Sequence, residues 1–170
     1  SQFSILQSTA SVHDLVAAAK KHKMPAVGIT DMGNMMGAFH FVKALTAHNK
    51  AAQKKNDELL EAGEEPTETI IKPIVGAELN VCQDHTNKSQ KDNGYQIVFL
   101  AKNKRGYHNL AKMASLAYTD GFYYVPRIDR KIVERYKEDI IVLTGNLYGE
   151  VPSKVLNVGE KQAEEALLWC

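Results

Sequence analysis

Short apolar runs alternating with segments of helical period leave this chain few folds to choose from. Residues 24–30 (Met-Pro-Ala-Val-Gly-Ile-Thr), 74–81, 95–101 and 140–145 are each too short for a core helix, rich in Val and Ile, and bounded by Pro, Gly or polar residues, which is the signature of buried strands. Between them, Ser11 and Asp14 form a capping box, and Val12, Leu15, Val16 and Ala19 recur at helical spacing up to Lys23. Met36, Phe39, Val42, Leu45 and Ala52 predict a second helix ending at about residue 55. Asn103 is placed to cap a third through Tyr107, Leu110, Met113, Ala114 and Ala117; Ile132, Val133 and Tyr136 mark a shorter one, and a last pattern begins near Gly159. The succession predicts an α/β architecture on a parallel sheet, either a barrel or an open doubly wound sheet.

The chain is large enough for such a core, with 170 residues of which 44% are hydrophobic and 24% charged. A single domain over residues 1–170 is expected, with a surface excursion at 56–69, where the sequence is acidic, carries Gly and Pro, and lacks an apolar face. Lys and Arg number 21 against 20 for Asp and Glu, so net charge demands neither nucleic acid nor a membrane surface. No apolar run approaches the roughly 20 residues of a spanning helix, and no signal peptide opens the chain. A cytoplasmic setting without a membrane partner is the expectation. Cys82 and Cys170 are too few and too far apart for a disulfide framework or zinc knuckle and read as free thiols. The chain starts at Ser1-Gln2-Phe3-Ser4 and stops inside an amphipathic pattern at Leu167-Leu168-Trp169-Cys170, which reads as a segment excised from a longer polypeptide.

Strand ends are where α/β folds collect their chemistry. Thr30-Asp31-Met32-Gly33-Asn34 is such an end, a loop shaped for a metal ligand but carrying a thioether at Met32. Alternation along 77–81 puts Ala77, Leu79 and Val81 on one face and Glu78 and Asn80 on the other. The strand-end positions are Gln7, Asp31, Met32, Glu78, Leu116 and Asn146. Of these, Asp31 and Glu78 are ordinary ligands for a hard or borderline ion, Met32 suits soft ions, and Leu116 offers nothing.

Phosphate-loop, dinucleotide-turn and serine-elbow motifs are absent. His13, His22, His40 and His48 fall on predicted helices without a metalloprotease spacing, and with His85 and His108 they read as solvated or core-edge histidines. Lys102, Lys104 and Arg105 open a helix, while Arg127 and Arg130 follow Phe122-Tyr123-Tyr124. Such cations among aromatics suit a phosphate backbone, although the interleaved Asp129, Glu134 and Glu138 equally describe a solvated face.

Several linked blocks carry a resemblance. Phe3-Ser4-Ile5-Leu6, Met24-Pro25-Ala26-Val27-Gly28-Ile29-Thr30-Asp31, Gly33-Asn34-Met35-Met36-Gly37-Ala38, Lys72-Pro73-Ile74-Val75-Gly76-Ala77-Glu78, Gly106-Tyr107-His108-Asn109-Leu110 and Thr144-Gly145 occur in an order that resembles the amino-terminal PHP (polymerase and histidinol phosphatase) domain of the bacterial DNA polymerase III alpha family. The resemblance implies a distorted (β/α)7 barrel, similar to a TIM barrel and present here as a truncated fragment, with its first strand start and last strands outside the chain. In active members a trinuclear metal site lies at the strand ends, held in part by a His-x-His pair before the stretch matching Ser1-Gln2-Phe3-Ser4 and an Asp-x-His near the domain end. Neither lies within these residues.

Internal departures bear on activity. Where metal-binding members have Asp, His, His and Cys, this chain has Gln7, Met32, Leu116 and Asn146, and only Glu78 keeps a family ligand type. A hydrolytic centre needs several anionic or imidazole ligands to hold its ions and lower the pKa of bound water. The resemblance therefore implies a non-catalytic segment, with no cofactor of its own. It would brace the polymerase core of the same subunit, offer a surface to a proofreading exonuclease subunit, and meet DNA through the parent protein, whose polymerase domain uses Mg. The alternative is an active metal-dependent 3'-5' exonuclease or phosphoesterase using Zn or Mn with substituted ligands. A free-standing histidinol-phosphatase-like enzyme fits less well, because the 24–38 and 106–110 blocks resemble the polymerase branch.

Overall fold

Ser11 starts the first helix as its sequence predicts: in the computed structural model, which describes residues 1–169, its Oγ accepts the Asp14 N–H at 3.0 Å and donates to Asp14 Oδ2 at 2.6 Å. A cap of this kind stabilises a helix by about 1 kcal/mol. The elements run α1 (Val12–Lys21), β1 (Ala26–Met32), α2 (Ala38–Glu61), β2 (Lys72–Cys82), β3 (Tyr95–Ala101), α3 (Lys104–Thr119), β4 (Arg127–Asp129), α4 (Arg130–Tyr136), β5 (Ile140–Leu143), α5 (Glu150–Asn157) and α6 (Glu160–Trp169). Cys170 lies outside the described residues.

The chain divides into two compact units. One comprises residues 1–29 and 36–75, and its core packs Val12, Val16 and Ala19 of α1 against Phe41 and Leu45 of α2, with Ile29 and Ile71. Here the expected loop at 56–69 is corrected, because α2 continues through Glu61. It ends at Gly63, whose φ of 77° suits glycine, with Gly63 N–H bonded to Leu60 O and Glu64 N–H to Leu59 O. The segment beyond returns along α2 and borrows its side chains as a ladder. Asn56 accepts the Glu68 N–H and donates to the Glu68 carbonyl, both at 2.9 Å, and Asn49 treats Ile71 the same way at 2.8 Å. Lys55 pairs with Glu68 beside them. These polar side chains hid the helix from a reading based on apolar period.

The other unit holds residues 30–35 and those from Gly76 onward. Its core joins Ala77, Leu79 and Val81 of β2 and Ile97 and Phe99 of β3 to Leu110, Met113, Ala114 and Ala117 of α3, with Ile128, Ile132 and Val133. The expectation of a parallel sheet is corrected. The strand order is β1-β2-β3-β5 with β4 also on β2, and the sheet is mixed and not closed among the described residues. β3 runs antiparallel to β2, with Glu78 opposite Val98 and Asn80 opposite Gln96, and β5 runs antiparallel to β3. The link between β2 and β3 contains no helix, and without a crossover helix a chain returns antiparallel. β4 is parallel to β2, placing Asp129 beside Cys82.

β5 is an edge strand whose Ile141 and Leu143 are 43% and 46% exposed, not the buried strand expected. β4 and α5 were too short to show a period, and α5 carries Pro152 in its first turn, where proline costs no internal hydrogen bond. No helix is long and apolar enough to cross a membrane.

Candidate functional site

β1 ends at Met32, and its exit is tied down by short-range bonds. The Gly33 N–H donates to the Glu78 carbonyl at 2.7 Å and Asn34 Nδ2 donates to the Met32 carbonyl at 3.1 Å. Gly33 has φ 71°, and a side chain there would meet Pro126 Cγ at 3.2 Å, so the turn needs glycine twice over. Asp31 is buried, 2% exposed. Glu78 lies half-buried on the face of β2 opposite Ala77 and Leu79, and burial pushes its carboxyl pKa upward.

A polar row continues from Glu78 across that face. Asn80 Nδ2 donates to the Pro126 carbonyl at 3.2 Å, Gln96 stands opposite Asn80, and Asn146 Nδ2 donates to Gln96 Oε1 at 3.2 Å. The structure thus joins Asn146 to the Glu78 row and, since β1 runs through Asp31 and Met32 where a loop was expected, sets the end of that strand by Glu78. Two expected strand-end positions are corrected: Leu116 lies inside α3, where helical spacing turns it onto the core, and Gln7 is an exposed turn residue of the other unit. Two carboxylates, a thioether and amides are the donor set; it can hold protons and hydrogen bonds, and it lacks imidazole.

The basic residues separate into different roles. Lys102 and Lys104 are exposed. Arg105 Nε donates to Asp139 Oδ2 at 2.6 Å, tying the start of α3 to the turn before β5. Arg130 donates to Glu150 Oε1 at 2.6 Å and stacks over the Trp169 ring at 4.3 Å. Arg127 is a correction: it is fully buried and cannot meet a phosphate backbone from there. Its guanidinium donates to the carbonyls of Gly121 (3.0 Å), Asp92 (2.8 Å), His85 (3.2 Å) and Asn87 (3.1 Å), stapling the 85–92 loop to the rest of its unit. Gly121 also lets the two main chains approach each other, since a Cβ there would lie 1.9 Å from the Arg127 carbonyl oxygen.

One constellation was not anticipated. His85 Nδ1 lies 2.7 Å from Asp129 Oδ2, while Asp129 Oδ1 accepts the Ile132 N–H at 3.0 Å and caps α4. Burial alone would raise the Asp129 pKa, but the bonds from His85 and the Ile132 N–H outweigh it and hold the carboxyl below its usual range. Asp84 stands next to them, its Oδ1 accepting from Thr86 N (2.9 Å) and Oγ1 (2.7 Å). The visible signal was an Asp three residues before Ile132, a helix cap; what pairs it with His85 is the parallel register of β4 on β2. The remaining histidines described hold ordinary places, as in the stacking of His40 on Phe3 and the bond from His48 Nε2 to the Thr69 carbonyl at 3.1 Å.

Residues 1–170 match the PHP domain family. The chain is 36% identical over 173 residues to the DNA polymerase III subunit alpha of Chlamydia trachomatis, covering 99% of this chain and 12% of that protein. It is 36% identical over 174 residues to the protein of the same name from Aquifex aeolicus, covering 96% and 13%, and 35% identical over 162 residues to that of Thermus aquaticus, covering 91% and 12%. The chain therefore spans about one eighth of the length of the curated relatives it matches.

Proposed function

The chain belongs to the PHP domain family, and from that premise we propose that it is the PHP segment of a DNA polymerase III alpha subunit and has no metal-dependent activity of its own. Its relatives carry that subunit name across nearly the whole chain. In this reading the segment braces the polymerase core of the same polypeptide in the cytoplasm and offers a surface to a proofreading exonuclease. Nucleotidyl transfer, with its Mg, belongs to other parts of that polypeptide. The exposed Ile141 and Leu143 of the edge strand support a sheet that continues into a distorted (β/α)7 barrel.

The observation that carries the loss of activity is the donor set that Gln7, Asp31, Met32, Glu78, Leu116 and Asn146 supply. Leu116 is spent on the core, Asn146 bonds to Gln96, Met32 supplies a thioether, and Gln7 an exposed amide. Asp31 and Glu78 are the carboxylates left, and two carboxylates do not supply the field that activates water. These residues do not fit a hydrolytic metal cluster. DNA contact falls to the exposed Lys102 and Lys104.

The test is to dialyse the full polypeptide, measure retained Zn and Mn by elemental analysis, and assay nucleotide release from a primer end with and without chelator. The expected result is little retained metal and no chelator-sensitive release. Tightly held metal lost in Glu78→Gln, together with chelator-sensitive release that survives mutation of the polymerase centre, would establish the active-exonuclease reading instead.

A further inference from the structure

Asp84, His85 and Asp129 each present one ligand atom within 4.8 Å of the other two, and they are the one such group of His, Cys, Asp and Glu found among the described residues. Their positions are fixed by parts of the fold that do not depend on any ion. Asp129, 2% exposed, is the last residue of β4 and held by its parallel pairing to β2. His85 is held through its main chain by the buried Arg127 guanidinium, which also takes the carbonyls of Asn87 and Asp92. Beside Asp84 opens a polar cavity of about 370 Å³ lined by Gln83, Asp84, Asn87, Gln90, Asp92 and Lys131. It gives water access to the cluster from the Asp84 side.

We propose that Asp84, His85 and Asp129 bind a divalent transition ion of the zinc or cobalt class, at a site separate from Asp31 and Glu78. The donor chemistry selects the class. One imidazole with two carboxylates suits borderline ions, whereas Mg and Ca prefer oxygen alone and soft ions prefer sulfur.

The short His85 to Asp129 contact shows where the ion goes. An ionised carboxylate only accepts, so the imidazole donates the proton from Nδ1 along the 2.7 Å contact. The ion enters along this contact: the imidazole then keeps its proton on Nε2 and presents the Nδ1 lone pair, Oδ2 becomes the second ligand, and Asp84 and a water complete the shell. The two atoms then move apart to roughly 3.3 Å, the edge of a tetrahedron with metal–ligand bonds of about 2.0 Å. Lys131, whose charge acts on Asp84, opposes the ion, so the site exchanges with solution and is not needed for folding. The proposal is independent of the role given to Asp31 and Glu78.

Cobalt(II) titration of the full chain, followed by its visible absorption and by calorimetry, tests the site. The expected result is one tetrahedral cobalt spectrum, at one ion per chain, displaced by zinc. Asp84→Asn, at an exposed position where circular dichroism should report an intact fold, weakens binding about tenfold or more, and His85→Gln removes the spectrum. Glu78→Gln leaves both unchanged. Absence of a tetrahedral spectrum, indifference to Asp84→Asn, or loss on Glu78→Gln would each overturn the proposal.

Discussion

The guanidinium of Arg127 donates to the main-chain carbonyl of His85 at 3.2 Å from a position with no solvent exposure. A basic residue that sequence pattern places on a surface is in fact the internal fastening of a loop, with its other donors taken by Gly121, Asp92 and Asn87.

Arg127→Met should therefore destabilise strongly. Four carbonyls lose a charged donor, and each buried unsatisfied group costs about 1–3 kcal/mol, so a net loss of about 3 kcal/mol or more is expected. Urea unfolding should show a lower midpoint at unchanged slope. An unchanged midpoint would mean the loop is held by something else.

Asn56 offers a milder case. Asn56→Ala removes both bonds to the Glu68 backbone and should cost about 1–3 kcal/mol, with faster amide exchange confined to residues 64–71. Asn56→Asp keeps the acceptor for the Glu68 N–H and loses the donor, so it should fall between Ala and wild type.

Two carboxylates respond to pH with opposite sign. Glu78 is pushed above its ordinary value of 4.5 by burial, so its folded state favours the proton. The stabilisation this brings is full below 4.5 and lost as pH rises through the folded value. Glu78→Gln should thus raise Tm at pH 7 and lose that advantage in acid. Asp129 is held below 3.8, so its contribution is present above 3.8 and disappears as pH falls through the lower folded value. Asp129→Asn should remove that acid-limb slope. Parallel pH–Tm curves for variant and wild type would contradict either assignment.

DNA binding gives a test of the lysines. If Lys102 and Lys104 meet phosphates, replacing both with Ala should reduce the slope of log K against log salt by roughly 1.4–1.8, measured by fluorescence anisotropy. An unchanged slope would take DNA away from this face.

Element positions were legible wherever local signals and burial coincided. The caps at Ser11 and Asn103, the alternation of Ala77, Leu79 and Val81, and the run at Tyr95–Ala101 all occur as read. Strand direction was not legible, because a buried strand has the same composition whichever way its neighbour runs. The extension of α2 was masked by Asn49 and Asn56, whose amides serve a neighbouring segment and break the apolar period. At the candidate site, the shared face of Glu78 and Asn80, opposite Ala77 and Leu79, could be read from the alternation itself. The approach of His85 to Asp129 could not, since it joins positions far apart in sequence through a strand, Arg127–Asp129, too short to announce itself.

Cys82 is buried on β2 where β4 pairs with it, its Sγ donates to the Ile128 carbonyl at 3.2 Å, and burial pushes its thiol up to about 11. A thiol so placed is both shielded and unreactive at neutral pH. Its alkylation rate, followed at the peptide that contains it, is consequently a clock for the detachment of β4, and the speed of that clock measures how firmly the strand bearing Asp129 is held.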